Sequence, residues 1–190
     1  MLTDWQTQFP HCEPVGYHLR VAFPDRWVRF HSLPESKRYP ESATEYTTVL
    51  ERHNRILGEI VREGEAVCLL TTGYSSSTEP IRSYAELLEL DPGAVPWRTV
   101  AMHHEDGNFT DPNFWHVFVS TWHWSPGTFD PLVRLVADDV LANIMIVAPD
   151  CKWLLHPYDG GMDVILESKT ERDKLKALYP SWLPFRPDGL

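Results

Sequence analysis

The stretch Asn143-Ile-Met-Ile-Val-Ala-Pro-Asp-Cys-Lys-Trp-Leu-Leu-His-Pro-Tyr-Asp-Gly-Gly-Met-Asp-Val-Ile-Leu166 decides the fold. Asn143–Ala148, Lys152–His156 and Met162–Leu166 are short, apolar and rich in β-branched residues. Pro149-Asp150 and Pro157-Tyr158-Asp159-Gly160-Gly161 separate them as turns. Three strands joined this tightly read as an antiparallel meander, because a parallel connection needs a crossover of a dozen residues or more. Gly160 and Gly161 are read as suppliers of positive φ in the second turn.

Upstream, two further strands carry the pattern. Trp115–Trp124 (WHVFVSTWHW) is aromatic and β-branched, and Ala66–Thr72 (AVCLLTT) is a continuous apolar run suited to an inner strand. Arg26–His31 alternates, with Trp27, Arg29 and His31 on one face and Val28 and Phe30 on the other. Arg98–His104 is a further strand, and Gly73–Pro80 a polar loop. Residues 43–62 form the clearest helix: Ser42 and Glu45 make a capping box, Tyr46, Val49, Leu50, His53, Leu57 and Ile60 recur at helical spacing, and Gly64 stops the run. Shorter helices are expected from about Asp4 after a Thr3/Gln6 box, over Ser83–Leu90, from Thr128 or Asp130 to about Leu141, and over Thr170–Tyr179. Strict βαβ alternation is absent. The expected fold is one α+β domain over residues 1–190, with a mixed or mostly antiparallel sheet, a C-terminal β-meander and flanking helices.

Composition narrows the function classes. The chain has 190 residues, 43% of them hydrophobic, with 17 basic and 27 acidic side chains and a net charge of −10. No apolar run reaches the roughly 18 residues of a membrane span, and the N-terminal residues lack the features of a signal peptide. The acidic balance disfavours nucleic acid as a partner. Cys12, Cys68 and Cys151 are odd in number and form no CxxC pair, which suits buried reduced thiols and a cytoplasmic setting. Charge is uneven: residues 20–62 hold eight basic and six acidic side chains, and residues 63–190 hold nine and nineteen.

No motif for catalysis, cofactor or metal emerges. There is no GxGxxG, P-loop, GxSxG or HExxH. His103 and His104 are adjacent, and His116 and His123 are an odd number apart, so each pair faces opposite sides of a strand. The expectation is therefore no catalytic set, no cofactor and no metal. Asp138 and Asp139 are read as a solvated helix face, and Trp115, Trp122 and Trp124 as core.

Two segments stand apart. Arg29–Tyr39 gathers Arg29, His31, Lys37 and Arg38 ahead of a helix offering Arg52, His53 and Asn54, a pattern suited to a carboxylate or phosphate. That reading requires these side chains to converge on one accessible cavity. Glu35, Glu41, Glu45 and Glu51 offer the alternative of internal neutralisation. The second segment, Lys152–Val164, offers Tyr158 and Asp159 as contact points if they are exposed at the hairpin tip; the alternative is a tight turn whose Asp caps its own backbone and whose Tyr packs on the sheet. The candidate binding residues are thus Arg29, His31, Lys37, Arg38, Tyr39, His53, Asn54, Tyr158 and Asp159.

On RFHSLPESKRYPE (29–41), EYxxVLxRHNxIL (45–57), WLLHPYDGGMDVIL (153–166) and YPSWL (179–183), the chain resembles a family of uncharacterised bacterial cytosolic proteins, a domain of unknown function. The resemblance implies a bacterial source and carries no catalytic mechanism. By analogy with other small acidic bacterial proteins, the first functional expectation is a protein-binding module, an immunity (antitoxin-like) protein that masks a basic toxin or effector domain. The alternative is an enzyme or receptor for an anionic substrate, using the Arg29–Arg38 loop and His53.

Overall fold

The computed structural model describes residue 2, residues 4–102 and residues 113–186. Its centre is a seven-stranded sheet in the order β1-β7-β6-β5-β2-β4-β3, with every neighbouring pair antiparallel. The strands are β1 (Trp27–His31), β2 (Ala66–Ser75), β3 (Val95–Met102), β4 (Asn113–His123), β5 (Met145–Val147), β6 (Leu154–Tyr158) and β7 (Gly161–Ile165). The expected α+β architecture and the closing meander β5-β6-β7 are both present, and β1 returns to pair with the end of that meander.

Alternation along the strands builds a core on each face. Val28, Phe30, Leu155, Met162 and Val164 point to one side, where they meet α3 (Ala43–Ile60), α5 (Asp130–Ala137) and α6 (Lys169–Leu178). Leu70, Val117, Met145, Leu154 and Ile165 point to the other, beneath α1 (Trp5–Gln8) and α2 (Gly16–Ala22). Residue α4 (Ala85–Leu90) adds Leu87 to the first core. The α3 capping box forms: Ser42 Oγ accepts from the Glu45 amide at 3.3 Å, and Glu45 Oε2 accepts from the Glu41 amide at 2.7 Å.

Several elements depart from expectation for identifiable reasons. Helix α2 is unannounced, because it starts on glycine without a side-chain cap and buries only Gly16 and Leu19. Strand β2 runs past Thr72 into the expected loop, since β4 offers partners as far as Phe114 opposite Ser75. Gly73 permits this: a Cβ there would meet the Ile81 carbonyl oxygen at 1.9 Å. Helix α5 ends at Ala137, where Asp138 caps it and Asp139 takes a φ of +57°, so these two acids are not a helix face. Asp138 instead accepts from the Tyr46 hydroxyl. Strand β3 begins at Val95, ahead of Arg98. Helix α6 begins at Lys169 behind a Ser168 cap that binds the Glu171 amide at 3.2 Å. Thr3 and the His103–Asp106 run lie outside the described residues.

The β6–β7 connection is also tighter than expected. Tyr158 pairs with Gly161, leaving only Asp159-Gly160 as the turn. Among the described residues the positive-φ glycines are Gly64 and Gly127, so Gly160 and Gly161 serve a different purpose. They supply space: a Cβ on Gly161 would meet the Phe30 carbonyl oxygen at 2.3 Å and Tyr158 Oη at 2.7 Å. The tyrosine ring lies back across the glycine.

Candidate functional site: a cationic cavity

The register of the three strands β1, β7 and β6 arranges the site. Arg29 faces Asp163, and Asp163 faces His156, so these three side chains form one row across the sheet. The next row is His31, Gly161 and Tyr158. Both rows lie on the face that α2 covers. They floor a cavity of about 480 Å³ whose walls are Tyr17 and Arg20 from α2, Ser36 and Arg38 from the loop after β1, and Asp159 at the hairpin turn. A smaller lobe of about 240 Å³ shares Tyr17, Arg38, His156, Tyr158 and Asp159 with it and extends to Trp115, Leu141 and Asn143.

Arg29 holds Asp163 in a bidentate pair, Nε to Oδ1 at 2.8 Å and Nη2 to Oδ2 at 2.9 Å. The two side chains are only 12% and 5% exposed. The guanidinium also lies 4.7 Å from the Tyr158 ring centroid and 5.5 Å from that of Trp27. Burial disfavours the Arg29 charge, yet the Asp163 hydrogen bonds and charge hold its pKa above the ordinary value. Arg38 donates from Nε to Asp159 Oδ2 at 2.6 Å, and the Tyr39 hydroxyl donates to the same oxygen at 2.8 Å. These contacts clasp the loop after β1 onto the hairpin turn, and the Ser32 amide adds a bond to the Gly160 carbonyl. Arg20 is half-buried and makes no ion pair or hydrogen bond among the described residues.

Two neutral histidines complete the lining. Burial, reinforced by Arg29, lowers the His31 pKa. Burial also lowers that of His156, with Arg29 and Arg20 acting in the same direction against the pull of Asp163. His156 Nδ1 is buried without a hydrogen-bond partner among the described residues. Its ring is packed flat on Gly16, where a Cβ would come within 2.3 Å of Cε1. Burial raises the Tyr158 pKa, so this hydroxyl stays protonated as a donor. The result is an anion-facing surface: three guanidinium groups oppose two carboxylates, with two neutral imidazoles available to take up protons.

Five candidates from the sequence therefore meet here: Arg29, His31, Arg38, Tyr158 and Asp159 line the cavity, and Tyr39 braces it through Asp159. Tyr158 and Asp159 are half-buried within the wall instead of exposed at a tip: the Tyr158 ring packs back over Gly161, as the tight-turn alternative has it, while Asp159 is covered by Arg38 in place of capping its own backbone. Lys37 turns away to Glu45 at 2.6 Å and Glu41 at 2.9 Å, the internal neutralisation considered above. His53 is buried on the opposite face of the sheet, within the α3 core, with Nδ1 2.8 Å from the Val49 carbonyl. Asn54 ties α3 to the start of α5, donating to Asp130 at 2.7 Å and accepting from the Gly127 amide at 2.8 Å. Arg52 binds the His31 carbonyl at 2.8 Å and so fixes the end of β1.

Arg20, Tyr17, His156 and Asp163 escaped sequence reading. The first two sit on the unannounced α2. The other two follow from register once the turn is reduced to Asp159-Gly160, which sets His156 against Asp163.

Elsewhere, all three cysteines are free and buried, and burial pushes the thiols of Cys12 and Cys151 up to about 11 and about 12. Trp124 is buried, and Trp122 packs against the first core. His116 is buried and His123 exposed, as opposite faces of β4 require. No cluster of three or more His, Cys, Asp or Glu side chains suited to a metal occurs among the described residues. No helix among them is long and apolar enough to cross a membrane.

Fold and site together define an α+β domain with an arginine-lined cleft at one end of an antiparallel sheet. The chain belongs to the DUF3885 family, a domain of unknown function whose pattern it matches over residues 15–187. No curated protein and no solved structure matches it.

Proposed function

We propose that this domain binds a small anionic ligand in the cavity between α2, the loop after β1 and the β6–β7 turn. The observation that carries this reading is Arg20, a half-buried guanidinium without a partner among the described residues, in a cavity that also holds Arg29 and Arg38. Arg29 and Arg38 are prefixed by Asp163 and Asp159, so little side-chain entropy remains to be lost when an anion arrives. His31 and His156, held neutral by burial, add to the same site imidazoles whose charged forms a bound anion would favour.

The test is calorimetric titration with inorganic phosphate and with citrate at fixed ionic strength, in the native chain and in Arg20→Gln. Arg20 has no hydrogen-bond or ion-pair partner among the described residues, so the variant is expected to fold like the native chain and to bind about tenfold more weakly or worse. Equal binding by both proteins, or none by the native chain, overturns the reading.

A second reading, a protein-binding module of the immunity type, has its own support in a groove on the opposite face. This groove, of about 490 Å³, has an apolar floor including Ile60, Trp153 and Leu175, and a rim carrying Glu59, Asp150, Glu167 and Glu171 against Lys152 and Lys174. Leu178 beside it is 57% exposed. An acidic rim around apolar side chains suits a basic toxin surface. Other carboxylates of the acidic part serve less well: Asp130 and Asp138 are engaged by Asn54 and Tyr46. Affinity capture at low and high salt tests it. A stoichiometric basic partner, lost at high salt and lost from Glu167→Lys/Glu171→Lys, supports this reading, and retention by the double variant removes the groove from it.

A further inference from the structure

We infer that the ligand of this cavity is a phosphorylated compound carrying a planar ring, with its phosphoryl group among the three arginines and its ring in the adjoining lobe. The inference rests on the anion-binding reading above and extends it to a chemical class.

The phosphoryl assignment follows from how the donors are distributed. Arg29 commits Nε and Nη2 to Asp163, leaving Nη1. Arg38 commits Nε to Asp159, leaving both terminal nitrogens. Arg20 commits none of its fork to any described residue. These unused N–H groups come from three separate elements: the sheet floor, the loop after β1, and α2. A carboxylate is planar and presents two oxygens, which one or two forks satisfy. A phosphoryl group presents three terminal oxygens in tetrahedral array, so three forks can approach it from three sides. Charge agrees within the arginine-lined cavity, where two aspartates face three guanidinium groups and a dianion gains from the surplus; the third carboxylate, Asp139, lines the adjoining lobe, away from the proposed phosphoryl position.

The ring assignment comes from the second lobe. It shares Tyr17, Arg38, His156, Tyr158 and Asp159 with the first as common walls, and Trp115 is among its own lining residues. Tyr17 is 54% exposed, although its ring belongs to the wall of both lobes. Trp115 is partly exposed at the same place. Two accessible aromatic rings beside a cationic cavity form a surface on which a planar group can stack.

The experiment compares four probes by calorimetry at matched ionic strength: acetate, inorganic phosphate, ribose 5-phosphate and adenosine 5′-monophosphate. Phosphate is expected to bind at least tenfold more tightly than acetate. The adenosine monophosphate is expected to exceed ribose 5-phosphate by about tenfold, as one base–aromatic stack provides. Trp115→Ala should remove that last increment and leave phosphate binding unchanged; Trp115→Phe should retain most of it. Acetate binding as tightly as phosphate overturns the phosphoryl assignment while leaving an anion site in place. Equal binding of the ribose and adenosine phosphates overturns the ring assignment. Failure of all four probes, together with citrate, overturns the anion-binding reading itself.

Discussion

Arg29 of β1 and Asp163 of β7 stand directly opposite each other and share two parallel hydrogen bonds of 2.8 and 2.9 Å, nearly out of contact with solvent. Such a pair is fixed by its surroundings more than it stabilises them, because two desolvated charges recover most of their hydration cost from each other. Removing one partner is another matter. Asp163→Leu strands a guanidinium in the wall and is expected to cost about 3–5 kcal/mol in denaturant unfolding. Arg29→Met/Asp163→Leu removes both charges and should recover more than half of that loss. A single-variant cost below about 1 kcal/mol would show the pair to be solvated.

Glycine positions along the site carry a sharper steric expectation. Gly161→Ala would drive a methyl against the Phe30 carbonyl at 2.3 Å, and backbone gives way less readily than a side chain. Its expected cost is about 3 kcal/mol or more, at the upper end of overpacking effects. Gly16→Ala meets the imidazole of His156, which can rotate, so a smaller loss of about 1–3 kcal/mol is expected, with weakened phosphate binding because the cavity floor moves. Gly93 has open space around it and no positive φ. Gly93→Ala should therefore be neutral or stabilising by up to about 1 kcal/mol. Urea midpoints for the three variants give the ranking, and a reversed order contradicts the geometry.

The sequence carried the framework of this molecule further than its site. Strands with strong apolar or alternating patterns and helices with a serine cap were legible because local chemistry and tertiary demand coincide in them, as at Ser42 and along Trp115–Trp124. Helix α2 was not, since no local cap announces it and what holds it is distant in sequence: the Gly16 amide donates to Asn143 at 2.9 Å, Gly16 packs on His156, and Leu19 enters the core. Arg29, His31 and Arg38 were identified by charge clustering. Lys37 belongs to the same cluster and points elsewhere, because Glu45 three residues beyond Ser42 is needed by the helix cap and draws the lysine to it. His53 has the right chemistry on the wrong face: helical periodicity places it with Val49 and Leu57, which already marks it as core.

That placement of Lys37 gives a control. Lys37→Gln disrupts only an exposed pair with Glu41 and a partly exposed one with Glu45, and it is expected to change the urea midpoint little and to leave phosphate affinity unchanged. Arg38→Gln, one residue along, should weaken phosphate binding about tenfold, because its guanidinium faces the cavity. Similar effects for the two variants would mean that general surface potential, rather than the cavity, attracts the anion.

Acid should affect stability and binding in opposite directions. Burial lowers the His53 pKa to about 4, against an ordinary value of 6.5. Between those limits the unfolded chain takes up a proton that the folded chain does not, so stability is held above about pH 6.5 and falls as the pH drops toward 4. The loss from His53 alone is about 3 kcal/mol. His53→Leu should flatten that limb of the stability curve while lowering its plateau. In the cavity, the lowered pKa values of His31 and His156 leave both rings neutral at pH 7. A bound dianion favours their charged forms, so sulfate, whose charge does not change over this range, should bind more tightly as the pH falls below 6.5 while the fold persists, with proton uptake on binding. Calorimetry in two buffers of different ionisation enthalpy measures that uptake directly. His31→Gln should reduce it and Lys37→Gln should not. An uptake of zero at pH 6.5 would place the anion away from both imidazoles.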